Sequence, residues 1–445
     1  MNQDLTKGPI LKTMLLFALP MIAGNLLQQF YNIADTLIVG KFLGSQALAA
    51  VGSAYTLMIF LTSILLGLCM GCGALFSIQF GARQTDQLKN SLFVSFILIA
   101  VITLLINLAV FFWIDPIMVF LNVPEEIYAL MREYLWIIFF GISATFLYNY
   151  FACLLRAVGN SVIPLVFLGV SALLNIGLDL YFVLELEKGV GGAALATVIS
   201  QFVAGIGIAV YTIIHCPQFR PQRRHMSWKP SVFVEITQFS ALTCAQQSVM
   251  NFGILMVQGL VNSFGPAVMA AFAAAVKIDS FAYMPVQDFG NAFSTFIAQN
   301  YGAKEDDRIR RGISCAVRVS VLFCLVISLV VFLLARPLLL IFVKPTETKI
   351  LSIGVEYLRV EGSFYWGIGC LFLLYGLYRA IKKPGMSVIL TVISLGTRVL
   401  LAYILSAFIG VMGIWISIPI GWILADLAGF FYYRLRCRDL LHTGN

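Results

Sequence analysis

Two aspartates, one asparagine and one threonine carry the chemistry in this sequence, because all four interrupt runs that are otherwise apolar. Asp35 lies near the end of the first such run. Asn175 and Asp179, in Asn175-Ile176-Gly177-Leu178-Asp179, stand at i and i+4 and therefore on one face of a helix. Thr197 follows about two turns into the next run. An ionised carboxylate in hydrocarbon costs several kcal/mol even on the milder insertion scales, so each must face a partner or a water-filled cavity. As a set they suit a small hard cation such as Na+, or a proton shared by two carboxyls whose burial and mutual repulsion favour the protonated form. The neutral oxygens of Asn175 and Thr197 favour sodium and the carboxylates accept either ion, so H+ against Na+ stays open. The plainer alternative is that Asp35 and Asp179 satisfy hydrogen-bond donors inside a packed bundle.

Further polar and soft residues in apolar runs are candidates for a substrate cavity: Gln28, Tyr31, Gln246, Met250, Lys277, Met284, Asp288 and Arg398. Tyrosine and methionine offer cation–π and adaptable apolar contacts to bulky cations. Lys277 and Asp288 are eleven residues apart, about three helical turns, and so share a face with Asp279 and Asn291 nearby. Gln246 and Gln247 read better as bridges between helices, and Arg398 as a structural charge with Asp426 a candidate partner. No enzyme centre emerges. His215, His225 and His442 fall in loops or the tail, H-E-x-x-H and G-x-S-x-G are absent, and so is a phosphate-binding G-x-x-x-x-G-K-[ST]. The nine cysteines lie mostly in apolar runs and read as buried free thiols; Cys69-Met70-Gly71-Cys72 has redox spacing but no metal-ligating neighbours. No cofactor is expected beyond the coupling ion.

The elements that position these residues follow from composition. The chain has 445 residues, 60% hydrophobic and 11% charged, with a mean hydropathy of +0.93. Soluble globules carry about 25% charged residues, so this is an all-α polytopic membrane protein whose partner is the lipid bilayer. The alternating ten-residue segments of a β-barrel are missing. About twelve runs are long enough to span a bilayer, over 13–38, 48–78, 91–114, 128–154, 162–184, 190–214, 234–260, 268–299, 313–335, 353–378, 386–409 and 412–433. The net charge of +8 comes from loops on one side, at Arg83, Arg156, Arg220, Arg308 and Lys382 among others, with Arg434, Arg436 and Arg438 in the tail. That is the positive-inside pattern and not a nucleic-acid patch, so both termini are expected in the cytoplasm and the chain in a bacterial inner membrane. Residues 1–12 lack a cleavage site, so the first run reads as a mature helix.

The halves repeat. Gly44-Ser45-Gln46-Ala47 recurs as Gly265-Pro266-Ala267-Val268, and Gln79-Phe80-Gly81-Ala82-Arg83 as Asn300-Tyr301-Gly302-Ala303-Lys304, both at an offset of 221. Arg156-Ala157 recurs as Arg379-Ala380 after a shift of two. The expected domains are therefore a first lobe over 1–214, a basic cytoplasmic linker over 215–233 and a second lobe over 234–445. Six helices per lobe keep the copies parallel, a transporter architecture in which the substrate path runs between the lobes and access alternates by rocking. On this register Asp35 maps to Met256, Asn175 to Gly396, Asp179 to Leu400 and Thr197 to Ile418. The second lobe thus keeps none of the four groups, which favours a function confined to the first.

The stretch 20–54, with Pro20 fifteen positions before Asp35, resembles the first helix of the MATE (multidrug and toxic compound extrusion) family. The loop Arg156-Ala157-Val158-Gly159-Asn160, the set Asn175, Asp179 and Thr197, and Gln299-Asn300-Tyr301-Gly302-Ala303 resemble its other signatures. The resemblance implies a monomeric exporter of small cationic amphiphilic drugs driven by inward H+ or Na+, with Asp35, Asn175, Asp179 and Thr197 as its cation site. It also implies that Pro20 bends the first helix, as the lost helix hydrogen bond allows. Some bacterial members carry carboxylates in the seventh and tenth helices; here 239–276 and 362–378 contain none, which argues against a second-lobe site of that kind. A lipid or glycolipid flippase of related fold is the alternative function, and it would call for several basic residues inside the cavity.

Overall fold

The computed structural model describes residues 3–120 and 123–437; the tail residues Arg438 and His442 lie outside them. The described residues are almost wholly helical. In order the helices are α1 (Ile10–Phe42), α2 (Gly44–Gly81), α3 (Thr85–Phe112), the short α4 (Ile114–Phe120), α5 (Glu125–Ile138), α6 (Gly141–Ala157), α7 (Val162–Leu180) and α8 (Gly189–His215). The second half adds α9 (Pro230–Asn262), α10 (Pro266–Gly302), α11 (Asp306–Leu339), α12 (Thr348–Gly362), α13 (Tyr365–Ala380), α14 (Pro384–Ile409) and α15 (Val411–Tyr432).

Nine of these helices are long and apolar enough to cross a membrane, and the bent pairs α5–α6 and α12–α13 supply two more spans. The twelfth is α9. Its 33 residues reach about 50 Å, well over a bilayer core, but Gln238, Gln246, Gln247, Asn251 and Gln258 dilute its hydropathy. The fourth and tenth spans, expected as single helices, turn by 45° and 50°. The cause is local: Phe140 N–H donates to Ile137 O at 3.2 Å and Gly367 N–H to Phe364 O at 2.8 Å. These i→i−3 bonds replace the α-helical ladder at the joint, and hydropathy cannot register them. The fifth span instead ends in a π-helical turn, Tyr181–Glu185.

Backbone conformation repeats as the sequence does. Gly44 and Gly265 have φ of 88° and 94°, Arg83 and Lys304 of 57° and 59°, and Gly189 and Gly410 of 57° and 64°, each pair 221 apart; Gly159 at 87° and Lys382 at 61° are 223 apart. Left-handed residues are costly for side chains other than glycine, so their recurrence in register marks the same chain reversals built twice. After α2 and α10 the reversal is closed by one bond pattern, with Gln84 N–H to Gln79 O at 3.0 Å and Glu305 N–H to Asn300 O at 2.9 Å.

The chain forms two compact units. The first comprises Met1–Asp4 and Leu19–Cys244, the second Leu5–Ala18 and Ala245–Asn445. We call them the first and second lobe. Helix α1 changes lobe beside Pro20, and α9 changes lobe at Cys244. Two glycines of α2 make this possible in the first lobe. A Cβ at Gly71 would fall 2.4 Å from Phe239 O and one at Gly67 would fall 2.7 Å from Cys244 Cα, so backbone meets backbone.

The segment before each of these helices is held by side chains. In the first lobe Asn90 Nδ2 donates to His225 O and Ser227 O at 2.7 and 2.8 Å, and the imidazole of His225 lies 2.8 Å from Asp86 Oδ1. In the second, Gln299 Oε1 accepts from Leu5 N–H at 3.2 Å, Asn300 Nδ2 donates to Leu5 O, and Arg308 donates to Lys7 O and Gly8 O at 2.8 and 2.7 Å. The Gln299–Asn300 signature is thus a socket for the chain's own beginning.

Candidate functional site

In the first lobe α7 presents Asn175 and Asp179 on one buried face, at 2% and 0% exposure, because the i, i+4 spacing stacks them. Helix α8 brings Thr197 alongside. Asn175 Nδ2 donates to Thr197 Oγ1 at 3.3 Å, and Thr197 Oγ1 donates to Ala193 O at 3.1 Å. The amide's donor side is thereby occupied and its oxygen turned away from Thr197. From α1 the half-buried Asp35 comes within interaction range of Asp179. The phenols of Tyr31, Tyr55 and Tyr134 lie within electrostatic reach of Asp35, with Asn32 Nδ2 donating to Tyr55 OH at 3.3 Å.

The decisive feature is what the oxygens lack. Asp35 Oδ1, both carboxylate oxygens of Asp179 and Asn175 Oδ1 are buried, and no protein donor reaches any of them. Buried acceptors without donors cost about 1–3 kcal/mol each, more when charged. Oxygen acceptors from two carboxylates and an amide fit a proton or a hard monovalent cation and offer nothing to soft metals. All four residues expected from sequence as cation ligands meet in this one lobe.

The other sequence candidates are dispersed. Gln28 is exposed on α1, and Tyr31, one turn before Asp35, belongs with the aspartates. In the second lobe Gln246 is buried, Met250 and Met284 are half-buried and Asp288 is buried at 3% exposure. Lys277 is exposed with its ammonium 5.7 Å from the Phe342 ring centroid, so it stands apart from the buried face of α10. Pro20 sits inside an α1 that stays helical on both sides.

Sequence reading missed a second cluster. Asp279 of α10 and Glu361 of α12, exposed by only 2% and 4%, lie within interaction range of each other. Tyr365 OH donates to Asp279 Oδ1, and Tyr357 is in hydrogen-bond range of both carboxyls. Arg398 of α14 acts electrostatically on both; Asp426, expected as its partner, is not among the groups it acts on. Glu361 lies one residue before the stretch 362–378, and its spacing of four from Tyr357 and from Tyr365 was the available signal.

The burial pattern also corrects the register between lobes. Pro164, Ala172 and Asp179 of α7 match the buried Ser387, Leu395 and Ala402 of α14 at an offset of 223. Asn175 therefore corresponds to Arg398 and Asp179 to Ala402, whereas Gly396 and Leu400 are exposed. In α1 and α9, Met14, Phe17, Ala18 and Met21 match Ile236, Phe239, Ser240 and Thr243 at 222, which sets Asp35 against Val257 in place of Met256. Thr197 still corresponds to Ile418, and Tyr134 to Tyr357 at 223. The offset rises from 221 at Arg83 to 223 at Gly159 because the second lobe holds two extra residues there, and it returns to 221 at Gly189 because the first lobe holds two extra residues between Asp179 and Gly189, around its π-helical turn.

A family model described as MatE matches the chain twice, over 20–181 and 241–404. The chain belongs to the MatE family. Its two matches begin 221 residues apart and end 223 apart, the latter being the offset that burial gives for α7 and α14. It is 30% identical over 434 residues to a probable multidrug resistance protein of Bacillus subtilis, covering 97% of this chain and 96% of that one. It is 23% identical to a FAD transporter of Shewanella oneidensis, over 99% of this chain and 98% of that one. A solved transporter from Pyrococcus furiosus superposes with a TM-score of 0.92 at 23% identity, covering 99% of both chains. As a MatE protein the chain is a multi-pass membrane transporter of the multidrug efflux family and not an enzyme, with twelve helices in two lobes.

Proposed function

We infer that this MatE chain is a secondary active exporter of cationic amphiphilic compounds, working by alternating access in exchange for H+ or Na+ that enters at Asp35, Asn175, Asp179 and Thr197. The observation that carries the reading is the set of four buried acceptor oxygens that no protein donor reaches. An ionised Asp35–Asp179 pair resists enclosure in a low-dielectric bundle, because its charge must leave water uncompensated. A bound proton or sodium ion removes that resistance, so a loaded site can be sealed from one side and opened to the other. Release toward the cytoplasm restores the charge and readies the carrier for a cationic substrate. In this reading the protein acts as a monomer in the bacterial inner membrane with both termini cytoplasmic, and Pro20 lets α1 bend as the site changes exposure.

The test is ethidium efflux from cells making wild type or Asp35→Asn at equal membrane levels, followed by proteoliposomes with imposed sodium or proton gradients. Wild type should lower cellular dye and Asp35→Asn should not, with one of the two gradients driving exchange. Equal export by both proteins would remove the first-lobe site from the mechanism. Failure of both to lower dye, with transport of an anionic dinucleotide or a lipid instead, would replace the cationic substrate class.

A further inference from the structure

The linker between α8 and α9 is pegged into the first lobe on one side and bare on the other. Cys216, Phe219 and His225 are buried, and the Phe219 ring meets Phe80 edge-on at 6.0 Å between centroids. Asn90 Nδ2 holds the carbonyls of His225 and Ser227. The His225 ring is fixed at both nitrogens, with Gln222 N–H donating to Nδ1 at 3.1 Å and Asp86 Oδ1 lying 2.8 Å from Nε2. The segment is therefore a set loop and not a slack tether.

What the pegs leave outside is basic and apolar by turns. Arg220, Arg223, Arg224 and Lys229 are exposed, and between them Met226 and Trp228 are exposed at 50% and 52%. Trp228 leans on Phe233 of α9, 4.9 Å between centroids, and Val234 beside it is exposed. Ile213 and Ile214, also exposed, carry the apolar face of α8 up to the linker, so the patch adjoins the lipid-facing surface of a span. Arg224 lies 3.3 Å from Asp86 and Arg220 Nε donates to Ile213 O. Among the described residues no carboxylate pairs with Arg220, Arg223 or Lys229. Lys and Arg reach lipid phosphates from apolar stems, and an indole settles at headgroup level. A soluble polyanion would answer the same charges but leave Met226, Trp228 and Val234 in water.

We propose that residues 220–229 form a binding surface for anionic phospholipid headgroups of the cytoplasmic leaflet, with the Trp228 indole seated at the level of those headgroups. The choice of leaflet rests on the topology inferred above, whereas the recognition of charge does not. Each basic side chain close to an anionic membrane surface strengthens association roughly fivefold, and salt screens the effect. The lipid becomes the outer partner of a loop whose inner side Asn90 and Asp86 already hold.

The experiment is quenching of tryptophan fluorescence in the full chain, reconstituted in phosphatidylcholine nanodiscs into which brominated phosphatidylglycerol or brominated phosphatidylcholine is titrated. The difference between wild type and Trp228→Phe isolates the Trp228 signal. Half-quenching of that signal should take about one fifth as much brominated phosphatidylglycerol as brominated phosphatidylcholine, or less. The preference should be lost in high salt and in Arg220→Gln/Arg223→Gln/Lys229→Gln, whose three changes all fall on exposed side chains. A Trp228 signal that neither lipid quenches, or that both quench equally, would overturn the proposal, and so would a preference that survives the triple substitution. Both leaflets of a nanodisc carry the same lipids, so this result is independent of topology. Labelling of Lys229→Cys by a membrane-impermeant thiol reagent in intact cells, above the wild-type background, would overturn the choice of leaflet and the topology behind it; absence of labelling is expected.

Discussion

The first-lobe and second-lobe clusters are built at corresponding places from nearly the same parts, yet their hydrogen bonding differs. In the first, Asp35 and Asp179 face an amide and a hydroxyl, and four oxygens have no protein donor. In the second, Asp279 accepts from Tyr365 OH, and Tyr357 is in hydrogen-bond range of both Asp279 and Glu361. The duplicated framework thus leaves both Asp179 oxygens without donors in one lobe and hands an Asp279 oxygen to Tyr365 in the other.

The largest effect that would sharpen or break this contrast is on coupled transport. Asp179→Asn should abolish gradient-driven ethidium exchange in proteoliposomes, while Glu361→Gln, which keeps a polar side chain beside Tyr357, should retain the rate within about twofold. Comparable loss in both would mean that the two clusters do the same work. The next effect is on stability. Tyr365→Phe removes the hydrogen bond to the buried Asp279 and should cost about 2–3 kcal/mol, whereas Asn175→Leu removes one hydrogen bond to Thr197 and should cost about 1 kcal/mol. Thermal unfolding in one detergent orders them, and a larger loss in Asn175→Leu would reverse the structural role assigned to the two positions.

The smallest effect lies outside both clusters. Arg132 donates to Asp115 Oδ1 at 2.7 Å and Tyr128 OH donates to the same oxygen at 3.0 Å, and these bonds hold the exposed carboxyl below its usual range. A depressed carboxyl stabilises the fold above its unfolded pKa of about 3.9, and that contribution fades as pH falls through the lower folded value. Asp115→Asn should therefore melt slightly below wild type at pH 7, with the gap closing on acidification below pH ~4. A gap that widened in acid would refute the ion pair as the cause.

Asp35, Asn175, Asp179 and Thr197 were legible because each is a polar interruption in an apolar run, and two of them carry helical spacing. Glu361 was not, because it sits at the amphipathic approach to a span, where an acidic residue costs nothing remarkable in a hydropathy profile. Asp279 was visible as an intramembrane charge, but its grouping with Glu361 was not, since the two come from separate helices, α10 and α12. The bends at 139–140 and 363–364 escaped for the same reason that they exist, local loss of i→i−4 bonding without any change in apolar content.

The sequence by itself determined that this protein lives in a membrane, that it is made of two parallel copies and that the first copy holds two carboxylates, an amide and a hydroxyl inside its apolar runs. Those properties follow from composition, period and the cost of burying charge, which are all read along the chain. Only the tertiary structure decided which residues correspond around Asp179, because two residues are gained at the π-helical turn between Asp179 and Gly189 while Gly189 and Gly410 still align at 221. It also decided that Asp279, Glu361, Tyr357 and Tyr365 form one cluster, since contact depends on distance through space and not on position in the sequence.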